Sequence, residues 1–186
     1  MNQLYPLTRD FYDRDTVIVA KALLGKWVIH VSDGVEKIGK IVEVEAYLGS
    51  HDLASHSAKG LTKRTRVMFG PPGHAYIYLI YGMHYCFNVV TEKEGYGAAV
   101  LIRALQPVKN LLMKTQGPGL LTKAMEIDLR LNGHDLLSPD FFVAHSLSEE
   151  HFSIAEKSRI GVGYAKEWST KLLRFYIEGN QYVSKL

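Results

Sequence analysis

Two stretches of the chain alternate apolar and polar side chains with the two-residue period of a β-strand. In the first, residues 41–47, the side chains of Val42, Val44 and Ala46 would share one face, because successive side chains of a strand point to opposite faces. The other face would carry Glu43, Glu45 and Tyr47. The pattern therefore predicts a strand with one face on the core and carboxylates and an aromatic ring on the other.

The second stretch, residues 75–88, is rich in tyrosine and has a glycine near its middle. Tyr76 and Tyr78 would lie on one face of a strand, and Tyr81 would lie at or near a turn that carries Gly82. This arrangement predicts a β-hairpin with an aromatic residue at its tip.

The segments before the first stretch predict a helix and another hairpin. The helix would begin near residue 14 or 15, with Asp13 as its N-cap, and would end at Gly25. Residues 27–31 alternate in the manner of a strand, and Asp33-Gly34 predicts a turn that returns the chain into the strand at 41–47. This hairpin would carry the carboxylates at its far end.

The segments on either side of the aromatic hairpin predict a functional loop and a buried strand. The segment from 48 to 73 is rich in His, Ser, Lys, Gly and Pro, and a loop of that length in a compact domain is usually functional or disordered; we expect it to be functional. Residues 98–105 are apolar apart from Arg103, which predicts a buried strand whose one charge needs a partner. Pro107 would end that strand.

The last third of the chain predicts one helix and two short strands. Gly117-Pro118-Gly119 would open the helix; its free N–H groups could hold a phosphate, or the segment could be a plain helix start. Phe141-Phe142-Val143 predicts a short strand, and the segment 173–177 predicts a closing strand.

Composition narrows the class of protein. With 186 residues and 47% hydrophobic content, we predict one domain over residues 1–186. The single cysteine, Cys86, rules out an intrachain disulfide and fits a reducing compartment. Residues 1–6 lack the features of a signal peptide, and no apolar run is long enough for a membrane helix. We therefore expect an intracellular protein with no membrane partner, whereas the net charge of +3 decides nothing.

The two carboxylates allow two interpretations. Glu43 and Glu45 would have Cα atoms about 7 Å apart, so they could act as an acid and a base in glycoside cleavage. They could also form the solvated acidic face of an edge strand. Arg103 favours a buried site, because an arginine in an apolar strand needs an anion such as Glu45.

Other chemistries have weaker support. His51, Asp52 and His56 could bind a metal, but their spacing matches no strong motif, and a histidine that stacks or forms hydrogen bonds is the preferred interpretation. Cys86 is interpreted as a small core residue, since no basic neighbour in its strand would lower its pKa. The chain contains no phosphate-binding loop of the Gly-Lys-Ser type and no dinucleotide fingerprint after a strand.

Several longer motifs follow one another in order along nearly the whole chain. They are VEAYLG (44–49), SHS (55–57), YIYLIYGM (76–83), Asn88, LIRAL (101–105), GPG (117–119), RIGV (159–162), EW (167–168) and LRFY (173–176). Together these motifs resemble the alkyladenine, or 3-methyladenine, DNA glycosylase family of the mammalian type, also called methylpurine DNA glycosylases.

The resemblance implies a base-excision repair enzyme. Such an enzyme flips an alkylated or deaminated purine out of double-stranded DNA and hydrolyses its N-glycosidic bond, leaving an abasic site. We expect a monofunctional glycosylase without a lyase step, metal or cofactor, acting as a monomer in the cytoplasm, or at the nucleoid if the source is bacterial. The expected fold is α+β, with a curved, mainly antiparallel sheet, flanking helices and a protruding hairpin that inserts into DNA.

The resemblance also implies roles for individual residues. Glu45 would be the general base that activates water, with Arg103 and the main-chain carbonyl of Ile160 helping to hold that water. The residues implied to bind the base are Tyr47 on one face, His56 and Tyr78 on the other face, and Asn88 at the edge where the amine of guanine would clash. A hairpin turn centred on Met83 would place Tyr78 opposite Asn88.

Further residues are implied to contact DNA. Tyr81 would enter the minor groove and fill the space left by the flipped base, with Met83 in support. The other residues implied to contact DNA are Arg64, Arg66, Gly117 and Gly119. Thr65 stands where the family often has asparagine, and Leu120 stands where a lysine is usual, with Lys123 as a substitute.

Two rival functions use the same residues. A lesion-binding protein would use the aromatic residues without turnover, although the presence of both Glu45 and Arg103 argues against it. A metal-dependent hydrolase would use Glu43, Glu45, His51 and His56. For the glycosylase, the candidate substrates are 3-methyladenine, 7-methylguanine, hypoxanthine and ethenoadenine.

Overall fold

The computed structural model describes residues 4–146 and 150–186. The helices are α1 (Arg9–Tyr12), α2 (Thr16–Leu23) and α3 (Pro118–Met125). The strands are β1 (Trp27–Ser32), β2 (Val35–Tyr47), β3 (Ala75–Ile80), β4 (His84–Thr91), β5 (Ala98–Lys109), β6 (Phe141–Ala144), β7 (Ile154–Lys157) and β8 (Arg174–Ile177). Short 3-10 helices lie at His56–Lys59, Arg66–Phe69, Leu129–Leu131 and Lys166–Ser169.

The described strands form one antiparallel sheet organised around β2. Six of them follow the order β3-β4-β5-β2-β1-β6. Along one edge β2 pairs with β5, while along the other β1 pairs with its first half and β8 with its second. β7 pairs with the outer edge of β8. The predicted α+β class with a curved, mainly antiparallel sheet is confirmed.

The alternation that predicted β2 is confirmed, but β2 is not an edge strand. Val42, Val44 and Ala46 are fully buried in the main core, which also contains side chains of α2 and α3. Glu43 and Glu45, on the other face, are fully buried as well. The interpretation of a solvated acidic face is therefore wrong, because β5 and β8 pair with β2 on both sides of this segment.

The pairing of β2 with β5 is irregular next to the carboxylates. The register shifts on both sides of Glu43, passes from Ala104 to Ile102, and leaves Arg103 without a Cα partner in this ladder. Extra residues of this kind bend a strand and redirect its side chains. The irregularity thus lies where the sheet brings a buried arginine to two glutamates.

Several predicted element boundaries need correction. The N-cap of α2 is Asp15 and not Asp13, because the Asp15 side chain accepts hydrogen bonds from the amides of Val17 and Ile18. Pro107 does not end β5, which runs to Lys109 with Pro107 paired to Gly39. The predicted turn at Asp33-Gly34 is confirmed, with φ angles of 50° and 74°.

The closing strand and the short strand at 141–144 are also present as predicted. No helix in the described ranges is long and apolar enough to cross a membrane. Of the segment 1–6, for which no signal peptide was expected, residues 1–3 lie outside the described residues.

Candidate active site

The aromatic hairpin consists of β3 and β4, and its turn differs by one residue from the expected one. Ile80 pairs with His84, so the turn centres on Gly82 rather than Met83. Asn88 therefore lies opposite Tyr76, and the prediction that it lies opposite Tyr78 is wrong. A one-residue change in turn centre moves each partner by two residues, so the side chains keep their common face.

The tip of this hairpin is exposed. Tyr81 has a φ of 52°, and 85% of its surface is exposed, compared with 70% for Met83. A non-glycine residue in the left-handed region carries backbone strain. The turn thus holds a large aromatic side chain in water at a strained position.

A cavity of about 420 Å³ opens beside the hairpin. It is lined by every residue that the resemblance assigned to catalysis or base binding, namely Glu45, Tyr47, His56, Tyr78, Asn88, Arg103 and Ile160. Tyr81 and Gly119 also line it, whereas Met83, Arg64, Arg66 and Gly117 lie outside its lining. Strands β2 to β5, the loop after β2 and the loop after β7 meet there.

Glu45 is held through both carboxylate oxygens. Its Oε1 accepts a hydrogen bond of 2.7 Å from the amide N–H of Ile160 and lies 3.2 Å from Nη1 of Arg103. Its Oε2 accepts a hydrogen bond of 2.8 Å from the hydroxyl of Tyr47. The carboxylate therefore has a defined orientation at the cavity wall.

The surroundings of Glu45 have opposing effects on its ionisation. Burial raises the pKa of Glu45, whereas the Arg103 guanidinium, the Ile160 amide and the Tyr47 hydroxyl lower it. The net direction is upward. A carboxylate with a raised pKa is a stronger base once it is ionised.

Glu43 was considered together with Glu45 as an acid and a base in glycoside cleavage, but its contacts are those of a buried counter-ion. Its Oε1 accepts from Nε of Arg103 at 3.1 Å and from Nη1 of Arg174 at 3.0 Å, and its Oε2 accepts from the amide of Ser184 at 2.7 Å. Glu43 does not line the cavity. The interpretation of Glu43 and Glu45 as acid and base in one site is therefore wrong, because Glu43 is the buried counter-ion of two arginines.

The aromatic wall of the cavity is a connected set of rings. The ring centroids of His56 and Tyr78 are 4.5 Å apart, and Nδ1 of His56 lies 3.0 Å from the hydroxyl of Tyr76. Burial, with Arg64 and Lys59 nearby, lowers the pKa of His56 to about 4. His56 is therefore neutral at pH 7, and the Tyr76 hydroxyl lies within hydrogen-bond distance of its ring.

Asn88 and Cys86 also line the cavity. Asn88 is buried, and its Nδ2 donates to the carbonyl of Tyr76 at 3.0 Å. Cys86 is buried beside Tyr78 and lines the cavity rather than the main core. Burial raises the pKa of its thiol, which fits the interpretation that it is not a nucleophile.

Several residues implied to contact DNA lie in segments that also carry lining residues of the cavity. The exposed Arg64 guanidinium lies 5.3 Å from the centroid of the Tyr78 ring, and Arg66 is exposed at the start of a 3-10 helix. Thr65 between them is buried, and its hydroxyl donates to the carbonyl of Gly60 and accepts from the amide of Thr62. Thr65 thus stabilises this basic loop from within.

The start of α3 packs against the hairpin. Gly117 is the N-cap of α3 with a φ of 136°, which only glycine adopts readily. At Gly119 a Cβ atom would lie 2.9 Å from Cβ of His84, so glycine permits the close approach of α3 and the hairpin. Leu120 and Lys123 are exposed on α3.

Asp52 and Arg159, which the sequence did not assign to the catalytic site, form a buried ion pair next to the cavity lining. Asp52, considered as a metal ligand, accepts from both terminal nitrogens of Arg159. Arg159 directly precedes Ile160, and its place in the RIGV motif was the one available signal. Among the described residues, no group of three or more His, Cys, Asp or Glu is arranged to hold a metal ion.

Comparison with known proteins gives one consistent match. A family model described as methylpurine-DNA glycosylase (MPG) matches residues 10–181. A protein of Legionella pneumophila (strain Paris), named "Putative 3-methyladenine DNA glycosylase", is 68% identical over 179 residues, covering 96% of this chain and 98% of the relative. Proteins of the same name from Myxococcus xanthus (strain DK1622) and Desulfitobacterium hafniense (strain Y51) are 46% and 44% identical. Each covers 96% of this chain, and the alignments span 93% and 98% of these relatives.

Proposed function

The chain belongs to the methylpurine-DNA glycosylase family, and we propose that it is a base-excision repair enzyme that removes alkylated or deaminated purines from double-stranded DNA. The observation that carries the proposal is Glu45, a buried carboxylate held by three donors at the wall of a cavity lined by aromatic rings. A binding protein would have no need for a base at that position.

The proposed reaction is hydrolysis by an activated water. Glu45 takes a proton from the water, whose oxygen forms a bond to C1′ of the deoxyribose. The N-glycosidic bond breaks, its electron pair leaves with the purine, and the products are an abasic site and a free base. Arg103 and the carbonyl of Ile160 would help to hold the water, while the donors on Glu45 orient its free lone pairs.

The cavity supports binding of a flipped purine between aromatic surfaces. Tyr47 would stack on one face of the base, and His56 with Tyr78 on the other, each contact contributing about 1–3 kcal/mol. Because His56 is neutral at pH 7, it would not repel a purine that alkylation has made cationic. The aromatic rings would attract such a cation.

Selection among purines would follow from the leaving group and from Asn88. A cationic alkylated purine departs readily, whereas a neutral base such as hypoxanthine needs a proton as it leaves. The Asn88 amide is fixed by its bond to the Tyr76 carbonyl, so it would stand against the base edge that carries the amine in guanine.

The exposed hairpin tip supports the flipping step. Flipping a base costs a few kcal/mol and is easiest for poorly paired lesions. Tyr81, held outward by the turn, would fill the space left in the stack, with Met83 beside it. The exposed arginine side chains of Arg64 and Arg66 would hold the phosphate backbone of the DNA near the cavity mouth.

We further propose that the enzyme has no lyase step and acts as a monomer through one domain spanning residues 1–186. The lining of the cavity contains no lysine within the described part of the chain, so no amine is available there to form a Schiff base. Borohydride treatment during turnover is expected to trap no covalent protein–DNA adduct.

The proposal is tested by single-turnover excision. Duplexes carrying hypoxanthine, ethenoadenine or an alkylated purine are incubated with wild type, Glu45→Gln and Glu156→Gln in EDTA. Glu156 is a matched control, because it pairs with Lys21 at an exposed site outside the cavity. Wild type and Glu156→Gln should release a base, whereas Glu45→Gln should be slower by about 10²–10⁴-fold with duplex binding retained.

Two results would contradict the proposal. Tight binding of a lesion by wild type without release of any base would favour the lesion-binding protein. Loss of wild-type activity in EDTA would favour the metal-dependent hydrolase.

A further inference from the structure

Arg159 is completely buried behind the cavity. It lies in the loop between β7 and β8, and neither its side chain nor that of its partner Asp52 is exposed. Nη1 of Arg159 donates to Asp52 Oδ2 and to the carbonyl of Ala46, the latter at 2.8 Å, and Nη2 donates to Asp52 Oδ1 at 2.8 Å. The pair thus connects two loops that are far apart in sequence.

Stability alone is a poor explanation for this ion pair. Removing two charges from water is costly, and a buried pair is often no more stable than apolar residues of the same volume. In addition, Nε of Arg159 is buried without a hydrogen-bond partner. A residue that carries such costs is a candidate for a role in the site.

The two loops that the pair joins carry one wall of the cavity. The loop of Asp52 leads to Ala54, Ser55 and His56, and Asp52 also accepts from the amides of Leu48 and Ala54. The loop of Arg159 leads to further lining residues, namely Ile160, Gly161, Val162 and Tyr164. A second contact between the loops is the bond from the hydroxyl of Tyr164 to the carbonyl of Ala54, at 3.2 Å.

Arg159 adjoins two of the three groups that orient Glu45, the Tyr47 ring and the Ile160 amide. Its guanidinium carbon lies 4.7 Å from the centroid of the Tyr47 ring, and the next residue, Ile160, donates its amide to Glu45. The hydroxyl of Tyr47 donates to the other oxygen of Glu45. One buried guanidinium therefore fixes a neighbour of each carboxylate oxygen.

We propose that Arg159 is a positioning residue that, through its ion pair with Asp52, holds the Ile160 amide and the Tyr47 ring against Glu45. This inference deepens the proposed function and rests on it, since it assigns Arg159 the task of keeping the general base oriented toward the water. Arg159 itself does not line the cavity, so it acts only through these neighbours.

Loss of the Arg159 side chain would change the titration of Glu45, which a purely structural role of Arg159 would leave unchanged. The groups that act on Glu45 are the Ile160 amide and the side chains of Arg103, Tyr47, Glu43, Tyr78 and Cys86. The Ile160 amide lowers the pKa of Glu45, so releasing that amide must raise it. The acid limb of the excision rate would then move to higher pH, because Glu45 must be ionised to act as a base.

Three variants separate positioning from stability. Arg159→Lys keeps the charge but loses the planar fork that bonds both oxygens of Asp52. The double variant Asp52→Asn with Arg159→Met removes both charges and keeps the volume, so it remains informative if the lysine variant does not fold. Arg9→Lys is the matched control, because Arg9 pairs with Asp135 at 2.8 Å and neither residue lines the cavity.

Two measurements are made on each variant: single-turnover excision as a function of pH, and titration of Glu45 by carbon-13 NMR, assigned with Glu45→Gln. We expect Arg159→Lys and the double variant to excise up to about 100-fold more slowly at pH 7, with a raised pKa of Glu45. Arg9→Lys should behave as wild type in both measurements.

A folded Arg159→Lys or double variant with the wild-type rate profile and the wild-type titration of Glu45 would overturn the inference. Wild-type protein that releases no base would contradict the proposed function instead. In that case the NMR titration still decides whether Arg159 holds the amide on Glu45.

Discussion

At the scale of the residue, two glutamates on one strand face have different tasks because their donors differ. Glu43 accepts from two guanidinium groups and an amide outside the cavity, while Glu45 accepts from one guanidinium, one amide and one hydroxyl at its wall. Arg103 contacts both carboxylates. The arginine thus links a structural carboxylate to the candidate general base.

Tyr47→Phe tests the hydroxyl that bonds Oε2 of Glu45. The ring remains available for stacking, so binding of a damaged duplex should persist. The lost donor should raise the pKa of Glu45, move the acid limb of excision to higher pH and slow excision by about tenfold, as expected for one bond to a charged group. Tyr85→Phe, outside this cavity, should leave the limb in place when the single-turnover pH profiles are compared.

His56→Asn tests the lowered pKa of His56. In the folded protein this pKa is about 4, compared with 6.5 for an ordinary histidine. Between these two pH values the unfolded chain binds a proton that the folded chain does not, so wild type should lose stability as the pH falls from 6.5 to 4. Urea unfolding across that range should show a smaller loss for the variant; an equal loss would contradict a neutral, partly buried His56.

At the scale of the element, the β3–β4 hairpin is buried at the end away from its turn and exposed at the turn. Tyr76 and Asn88 are buried near its far end, while Tyr81 and Met83 extend into solvent. The approach of α3 at Gly119 supports the hairpin from one side. The packing of α3 against β4 thus supports the hairpin beside its exposed tip.

Tyr81→Gly separates the strain at the tip from its proposed task. Glycine adopts a φ of 52° without penalty, so the free energy of unfolding should stay the same or rise by about 1 kcal/mol. Productive binding of duplex DNA should weaken by about 1–3 kcal/mol, the value of one stacked aromatic. Excision from a well-paired duplex should therefore slow more than excision of the same lesion opposite a mismatch.

The control for this prediction is Tyr81→Trp, which keeps an aromatic ring at the tip and should retain excision. If Tyr81→Gly excised well-paired and mismatched lesions as fast as wild type, Tyr81 would have no part in flipping.

At the scale of the whole molecule, a buried charge cluster joins distant parts of the chain. Glu43 on β2 contacts Arg103 on β5, Arg174 on β8 and the amide of Ser184 near the C-terminus. Arg174 also donates to the carbonyl of Lys185 at 2.6 Å. The cluster thus lies where the central strand meets both of its neighbours and the final segment.

Glu43→Gln should destabilise the whole protein. A neutral amide would leave two buried guanidinium groups without their shared anion, and breaking a buried ion pair typically costs about 3–5 kcal/mol. Equilibrium unfolding in urea measures the loss. Glu36→Gln is the matched control on the same strand, because its pair with Lys109 is exposed, and it should change stability by about 1 kcal/mol or less.

Much of the molecule could be predicted from local patterns. The alternation at 41–47, the turn at Asp33-Gly34 and the tyrosine-rich hairpin each depend on residues close in sequence, and the structure confirms all three. Two of the errors were local as well: the cap is Asp15, and the hairpin turn centres on Gly82. Neighbouring aspartates, or neighbouring turn residues, differ too little in intrinsic preference for the sequence alone to choose between them.

The sequence by itself determined most of the strands, the core-facing side of β2 and, through its motifs, the family to which the chain belongs; β7 (Ile154–Lys157) was not predicted. Only the tertiary structure decided that β2 is central, that Glu43 neutralises two arginines, and that Arg159 pairs with Asp52 behind Glu45. The physical reason is the separation in sequence over which each interaction acts. Strand periodicity and turn preference act between neighbours, whereas the partner of a buried charge is set by which distant segments the sheet brings within a few ångströms.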